Sequence, residues 1–338
     1  MVHCFLQLIC VGTIAVFSQL GQPDEQKLRD EFRRPDVISF PEDAPYSPQV
    51  AALGKKLFFD PRLSGAQNMS CASCHNPSFG WETPAARTIG AMNEPLDRHA
   101  PTIENLAEAK RLHWDGKVGS LEEQASQPIT HPKEMNNTID DVVERLLQIP
   151  EYKSWFETLF DDGISGGTIV RSIATYERTL RSGHAPFDDW INGDDDAISQ
   201  QARAGLDLFT GKAKCAACHS GWAFTDYEFH DIGLDTDDIG RGKYEPDNAQ
   251  AQFAFKTPTL RNVAIRAPYM HRGNIQSLRD VLRHYNEGGL SRPSKSEDVT
   301  ELELTDSEMD AIIAFLETLS ANNVHVTTPA LPPEVPKR

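Results

Sequence analysis

Basic residues are scarce in this sequence: 33 Lys and Arg stand against 50 Asp and Glu, a formal net charge of −17 over 338 residues. The clustered Lys and Arg that neutralise phosphates are missing, which argues against nucleic acid as a partner. The acidic excess is compatible with steering a basic protein partner, although solubility alone accounts for it. Long apolar runs are missing too. The run from Cys4 to Phe17 is too short for a membrane span and has the length of a signal-peptide apolar segment. Residues 1–21 are therefore expected to be a signal peptide, and the protein periplasmic or otherwise exported. No Lys or Arg precedes the run, so a short uncleaved anchor is the alternative. Cysteine is equally sparse. Of six, Cys4 and Cys10 fall in the signal segment, and Cys10 lacks the preceding small residue that a lipoprotein site needs.

The other four cysteines form two identical arrangements, Cys71-Ala-Ser-Cys74-His75 and Cys215-Ala-Ala-Cys218-His219. In a Cys-x-x-Cys-His unit two thiols form thioethers with the haem vinyl groups, and the adjacent histidine ligates iron. The spacing thus predicts two covalently bound haem c groups. A single zinc site built from both pairs, or a pair of redox dithiols, is the rival. A four-cysteine zinc site does not need the following histidine, yet both pairs carry one.

The chain also repeats itself. Gly54-Lys-Lys-Leu-Phe58 precedes the first motif as Gly205-Leu-Asp-Leu-Phe209 precedes the second. Downstream, Pro101-Thr-Ile-Glu-Asn105 matches Pro258-Thr-Leu-Arg-Asn262, and Gly116 to Leu121 matches Gly273 to Leu278 without a gap. Two copies are too few for a solenoid, so two similar haem domains related by internal duplication are expected. The boundaries read as 45–192 and 197–321, divided by the Asp-rich stretch near Gly193–Asp196. The Pro-rich tail, 322–338, is expected to be disordered, extended and poorly packed. Apolar residues recur at helical spacing over Thr138–Leu147 and Thr168–Leu180, and Thr305-Asp-Ser-Glu308 is a capping-box pattern opening a helix to Leu319. The fold class is all-α.

A haem iron has two axial positions, and its chemistry depends on whether the second is open. Candidates near the first motif are Met92, His99, His113 and His131; near the second they are Met270, His271, His284 and Tyr285. The repeat separates these sites. Tyr285 lies seven residues after Leu278, whereas the residue seven after Leu121 is Pro128, which cannot ligate iron. A tyrosine in an apolar helix is ordinarily a core residue, so the asymmetry is a pointer only.

Beyond the haem motifs, the segments Ala100-Pro-Thr102, Trp114-Asp-Gly-Lys117, Ser120-Leu-Glu-Glu-Gln-Ala125, His131-Pro-Lys-Glu-Met135 and Ala267-Pro-Tyr-Met-His271 resemble the bacterial di-haem cytochrome c peroxidases and their MauG relatives. The resemblance runs from about Ala52 to Ser320. It implies two cytochrome-c-like helical domains, a peroxidatic haem in the first and an electron-transfer haem in the second. It implies that Trp114 lies between the haems as an electron path, that Glu134 shuttles a proton between the peroxide oxygens, and that Gln124 is a distal amide able to hydrogen-bond peroxide. It implies a structural role for His271, without bonding to iron.

Two departures from the peroxidases proper point to the MauG branch. The distal histidine of a mobile loop falls at Ala91, and the methionine of the second haem falls at Tyr285. Tyrosine is the more anionic donor and favours oxidised iron. Implied partners are hydrogen peroxide and an electron-donor cytochrome or copper protein, or an oxidisable protein substrate. Calcium between the domains is a family feature. Here His99 stands where an asparagine ligand is expected, with Arg266 and Pro268 able to offer backbone carbonyls, and His is a poor calcium ligand. A non-enzymatic di-haem electron carrier with both irons saturated is the alternative function.

Overall fold

The computed structural model describes residues 22–321 and 326–333, so the expected signal segment lies outside the described residues. The chain is helix-rich with little sheet. It runs through α1 (Gln22–Phe32), α2 (Pro48–Phe58), α3 (Cys71–Cys74), α4 (Leu121–Thr130), α5 (Ile139–Leu147), α6 (Pro150–Leu159), α7 (Gly166–Arg178), α8 (Pro186–Ile191), α9 (Gln200–Thr210), α10 (Leu278–Asn286) and α11 (Asp306–Glu317). Two-residue strands, β1 (Phe229–His230) and β2 (Phe255–Lys256), pair antiparallel between α9 and α10. Among the described residues no helix is long and apolar enough to cross a membrane.

Side-chain caps set the helix starts. Thr138 and Thr305 each accept the backbone N–H three residues on, and Glu308 completes the capping box. The helix expected from Thr168 begins two residues earlier, at Gly166, because Ser165 caps it.

Each half is built on one tight helix crossing. In the first half α2 crosses α7 at Gly54, where a Cβ would stand 1.8 Å from the Ser172 carbonyl oxygen. In the second half α9 crosses α11 at Gly205, where it would stand 1.9 Å from the Ala311 carbonyl oxygen. Any side chain at either place forces the helices apart. Around these crossings lie two separate cores. One contains Leu57, Phe58, Trp81, Tyr152, Phe156, Ile173 and Tyr176; the other contains Phe187, Leu206, Phe209, Phe224, Ile312 and Phe315.

The Asp-rich stretch does not divide these cores. Residues 186–192, expected in the first domain, bring Phe187, Trp190 and Ile191 to the second core. Phe187 packs edge-on to Phe224 and Phe315 at 5.4 and 5.5 Å, and Asp188 pairs with Arg261 at 2.8 Å. The strap α1 joins the same core by stacking Phe32 on Phe224 at 4.7 Å. The tail expectation also needs correction for residues 326–333, which lie on the first half. Val326 packs against its core, while the Ala330 and Pro332 carbonyls accept from Lys56 Nζ at 2.7 Å and Arg62 Nη1 at 3.0 Å. An extended Pro-rich backbone leaves its carbonyls unpaired, and two basic side chains take them.

The repeated segments adopt matching shapes. Asn105 and Asn262 both have φ +61°, His113 and Met270 have +64° and +72°, and Gly116 and Gly273 have +67° and +60°. Bridges Leu112–Val118 and Tyr269–Ile275 close the same loop, and Ser120 and Ser277 cap the helices that follow. The halves meet through reciprocal backbone bonds. The His99 N–H donates to the His271 carbonyl and the Lys256 N–H to the Trp114 carbonyl, both at 2.8 Å. These residues occupy corresponding places in the two matching segments, so each half offers the other the same edge.

Candidate active site: two haem cavities

Each Cys-x-x-Cys-His unit is a single helical turn closed by its histidine. The His75 N–H donates to the Cys71 carbonyl and the His219 N–H to the Cys215 carbonyl, each at 2.9 Å. The four thiols are free, and burial pushes those of Cys71, Cys74 and Cys215 up, Cys74 to about 11 and Cys215 to about 12. Both imidazoles are oriented from behind. Nδ1 of His75 donates to the Trp81 carbonyl at 3.2 Å, and Nδ1 of His219 to the Phe224 carbonyl at 2.9 Å. Burial holds both rings below the ordinary histidine range, neutral, with Nε2 left for a metal. This donor set fits covalently attached haem c and gives no support to a shared zinc, since the two pairs line different cavities.

The cavity beside His75 is about 700 Å³ and is lined by Cys71, Cys74, Gln124, Pro128, His131 and Glu134. Gln124 and Pro128 project from α4 and Glu134 from the turn after it. Burial lifts the Glu134 carboxyl above the ordinary glutamate range, while His131, 3.6 Å away, and Lys117 pull it back. The turn is pinned from outside. The Ala91 N–H donates to the Lys133 and Glu134 carbonyls at 3.1 and 2.9 Å, and Gly90 lacks the Cβ that would strike the Lys133 carbonyl oxygen at 1.8 Å. Ala91 thus fixes the Glu134 backbone instead of presenting a ligand.

The other sequence candidates for this iron divide. Met92 is 59% exposed and faces away. Both ring nitrogens of His99 face oxygens, those of Glu82 and of the Ala85 and Ala86 carbonyls. His113 does line the cavity, and its buried Nε2 has no hydrogen-bond partner. Burial pushes its imidazole down to about 4, so it stays neutral.

The second cavity, about 190 Å³, is lined by Cys215, Cys218, His219, Met270, His271, Leu282 and Tyr285. Tyr285 sits on α10, where Pro128 sits on α4. Burial raises its phenol well above the ordinary tyrosine range, so only a strongly Lewis-acidic centre in the cavity would make it a phenolate. His284 is turned away, with Nε2 donating to the Ile232 carbonyl at 2.9 Å. His271 stacks on Phe255 with ring centroids 3.8 Å apart and reaches Thr236 through Nε2 at 3.3 Å.

Trp114 lines both cavities, its indole N–H donating to the His99 carbonyl at 2.8 Å. Lys256 lines both as well and carries no signal in the sequence. Burial pushes its ammonium down to about 8, and among the described residues no carboxylate lies within ion-pair distance. Glu177 was equally silent. It lies on α7 beside the first cavity, pushed up to about 8 chiefly by burial, with Arg178 opposing and Glu122 adding.

Raising the folded-state value of Glu177 from 4.5 to about 8 means that the folded state holds this proton more tightly than the unfolded chain does. Its stabilisation is complete below pH 4.5 and drains away as pH rises through 8. The holoprotein's unfolding free energy is expected to fall by about 3–5 kcal/mol between pH 5 and 8 from this group alone. Thermal or denaturant unfolding of Glu177→Gln should lack that slope; an unchanged slope would assign it to other groups.

Residues 48–196 match the family model described as di-haem cytochrome c peroxidase, and residues 202–320 match the model described as cytochrome c. The chain belongs to the di-haem cytochrome c peroxidase family and is a haem peroxidase. It is 47% identical over 327 residues to the methylamine utilization protein MauG of Methylorubrum extorquens, covering 96% of this chain and 93% of that protein. It is 33% identical to the cytochrome c551 peroxidase of Nitrosomonas europaea, covering 86% of this chain and 85% of that protein. Among solved structures, a MauG-like protein associated with microbial copper homeostasis superposes with a TM-score of 0.78 at 29% identity, covering 85% of this chain and 94% of that one.

Proposed function

We propose that this chain is an exported peroxidase of the MauG-like branch that reduces hydrogen peroxide in the His75 cavity and relays electrons through the His219 cavity. The observation that carries this reading is the unlike pair Pro128 and Tyr285 at equivalent places on α4 and α10. One cavity is left open to a small ligand and the other has a donor facing it.

The haems, once attached, supply one iron that takes peroxide and a second that exchanges electrons. The chain supplies the rest. Glu134 accepts the proton of one peroxide oxygen and delivers it to the other, which leaves as water. Burial raises its proton affinity, which suits a group that must both take a proton and give it back. Gln124, one turn before Pro128, hydrogen-bonds the peroxide. Trp114 conducts between the cavities, both of which it lines. Lys256, which lines both cavities, would offer its ammonium to the anionic propionates of bound haem, and His219 and Tyr285 would hold the second iron.

The matching backbone angles and reciprocal interface bonds support an origin of the two halves by internal duplication, their distal residues having since diverged. Electrons would come from a cytochrome or copper protein, or from an oxidisable protein substrate. The apolar segment from Cys4 to Phe17 supports export.

Mixing the purified ferric holoprotein with peroxide and following the Soret band tests the reading. A rapid, stable spectral change is expected. Slow bleaching alone, with only six-coordinate low-spin haem, would make the protein an electron carrier.

A further inference from the structure

The wall of the second cavity contains a buried positive charge on its first-half side. Arg266, from the second half, is buried, and its guanidinium pairs with Glu82 of the first half and donates to the Thr259 carbonyl. The site is shaped for this side chain. Gly80, at φ +61°, lies under the arginine stem, where a Cβ would come within 2.6 Å of Cγ and 2.7 Å of Cδ. Thr102 fixes that glycine by donating its hydroxyl to the Gly80 carbonyl at 2.8 Å. The Glu82 carboxylate is used on both oxygens. It takes the guanidinium and the Thr102 N–H, at 3.0 Å, on Oε1, and His99 Nε2 at 3.2 Å on Oε2.

Membership of the family implies a calcium ion between the domains, near these residues. The residues present do not fit one. Calcium takes six to eight oxygens. The oxygens beside the Arg266 side chain, the Thr259 carbonyl and the Glu82 carboxylate, are already donated to by its guanidinium. His99, standing where an oxygen donor is expected, brings no side-chain oxygen and turns both ring nitrogens toward oxygens already in place, those of Glu82 and of the Ala85 and Ala86 carbonyls. A divalent ion here would sit against a fixed like charge in a buried setting, where repulsion is poorly screened.

We propose that Arg266 is the permanent cation of this interface, taking over from an exchangeable calcium ion. Its guanidinium ties Glu82 to Thr259 across the two halves and sets the electrostatic environment of the second cavity, which Glu82, His99 and Arg266 all line. Arg266 is a positioning residue, and the chain is indifferent to chelators. The inference rests on the family reading for where calcium would lie, and on the Arg266 geometry for why it does not.

The test starts with the intact holoprotein, dialysed against EGTA or calcium chloride. Elemental analysis should find no stoichiometric calcium in either sample, with unchanged ferric electron paramagnetic resonance signals and thermal midpoint. One calcium per chain, or a haem signal altered by EGTA, would overturn the proposal. Arg266→Gln should then lower the thermal midpoint by several degrees, because the buried Glu82 carboxylate loses its guanidinium partner. It should also shift the second haem's redox equilibrium roughly tenfold toward ferric, 59 mV for one electron. Arg266→Lys keeps the charge and should recover most of the redox shift. A Gln variant with unaltered midpoint and potential would sink the positioning role. Peroxide reactivity is scored separately in the same samples, so a failure of the peroxidase reading is distinguishable from a failure of this one.

Discussion

Replacing Glu134 by Gln is expected to slow the reaction of the ferric holoprotein with hydrogen peroxide by roughly 10²- to 10⁴-fold, the usual contribution of a positioned acid–base group. That corresponds to about 3–5 kcal/mol of activation free energy. Gln has the same shape and still hydrogen-bonds, but it cannot take a proton from one oxygen and return it to the other. Glu134 is also well placed to move one. Its backbone is clamped by the Ala91 N–H, and its carboxyl lines the cavity that contains His75. The pH profile supplies a second readout. Burial raises the Glu134 carboxyl above its ordinary range, so the carboxylate that starts the transfer is lost as pH falls through that raised value. The rate for the parent protein should therefore fall on the acid side, and the Gln variant should lose that limb. Stopped-flow rates across pH check both. A Gln variant within a factor of a few of the parent rate at every pH would return Glu134 to the role of a solvated surface charge.

Much of this site was legible because its signals are local. A Cys-x-x-Cys-His unit needs only five consecutive residues to state its chemistry, and the histidine orientation follows from the turn that closes on Cys71 or Cys215. Caps such as Thr138 and Thr305 act over three residues, and they set the starts of α5 and α11. The illegible features are those made by distant pairs. Arg266 and Glu82 are 184 positions apart, and Gly80, which admits the arginine stem, looks like any loop glycine. Lys256 reads as a surface lysine until the strand pair Phe229–Lys256 turns it toward the cavities. The boundary between the cores is illegible for the same reason. Composition marks the Asp-rich stretch, but packing sets Phe187 against Phe224 and Phe315 of the second half and Trp190 under Arg29 of the α1 strap. His113 lay between these cases. The sequence marks it as a possible ligand, and the fold buries its unpartnered Nε2 in the lining of the first cavity.

Tyr285→Phe is expected to change the second haem more than any other single oxygen atom in the protein could. The ring remains and continues to fill the cavity beside Leu282, so packing loss is small and folding should survive. Only the anionic donor disappears. A phenolate stabilises ferric over ferrous iron; without it, the potential should rise by at least about 59 mV, a tenfold change for one electron. Electron paramagnetic resonance of the ferric variant should show the low-spin signal of this haem lost to a high-spin one. Recapture by Met270, another donor lining the cavity, would instead give a new low-spin signal. His284 is a weaker replacement, because its Nε2 is already donated to the Ile232 carbonyl. The first haem is the internal control. Tyr285 does not line its cavity, so the initial peroxide rate should stay within a factor of a few, while the ability to hold the second oxidising equivalent should drop. If both the spectrum and the potential of the second haem are unchanged in the Phe variant, Tyr285 is a core residue, and the inequality between the two cavities has another origin.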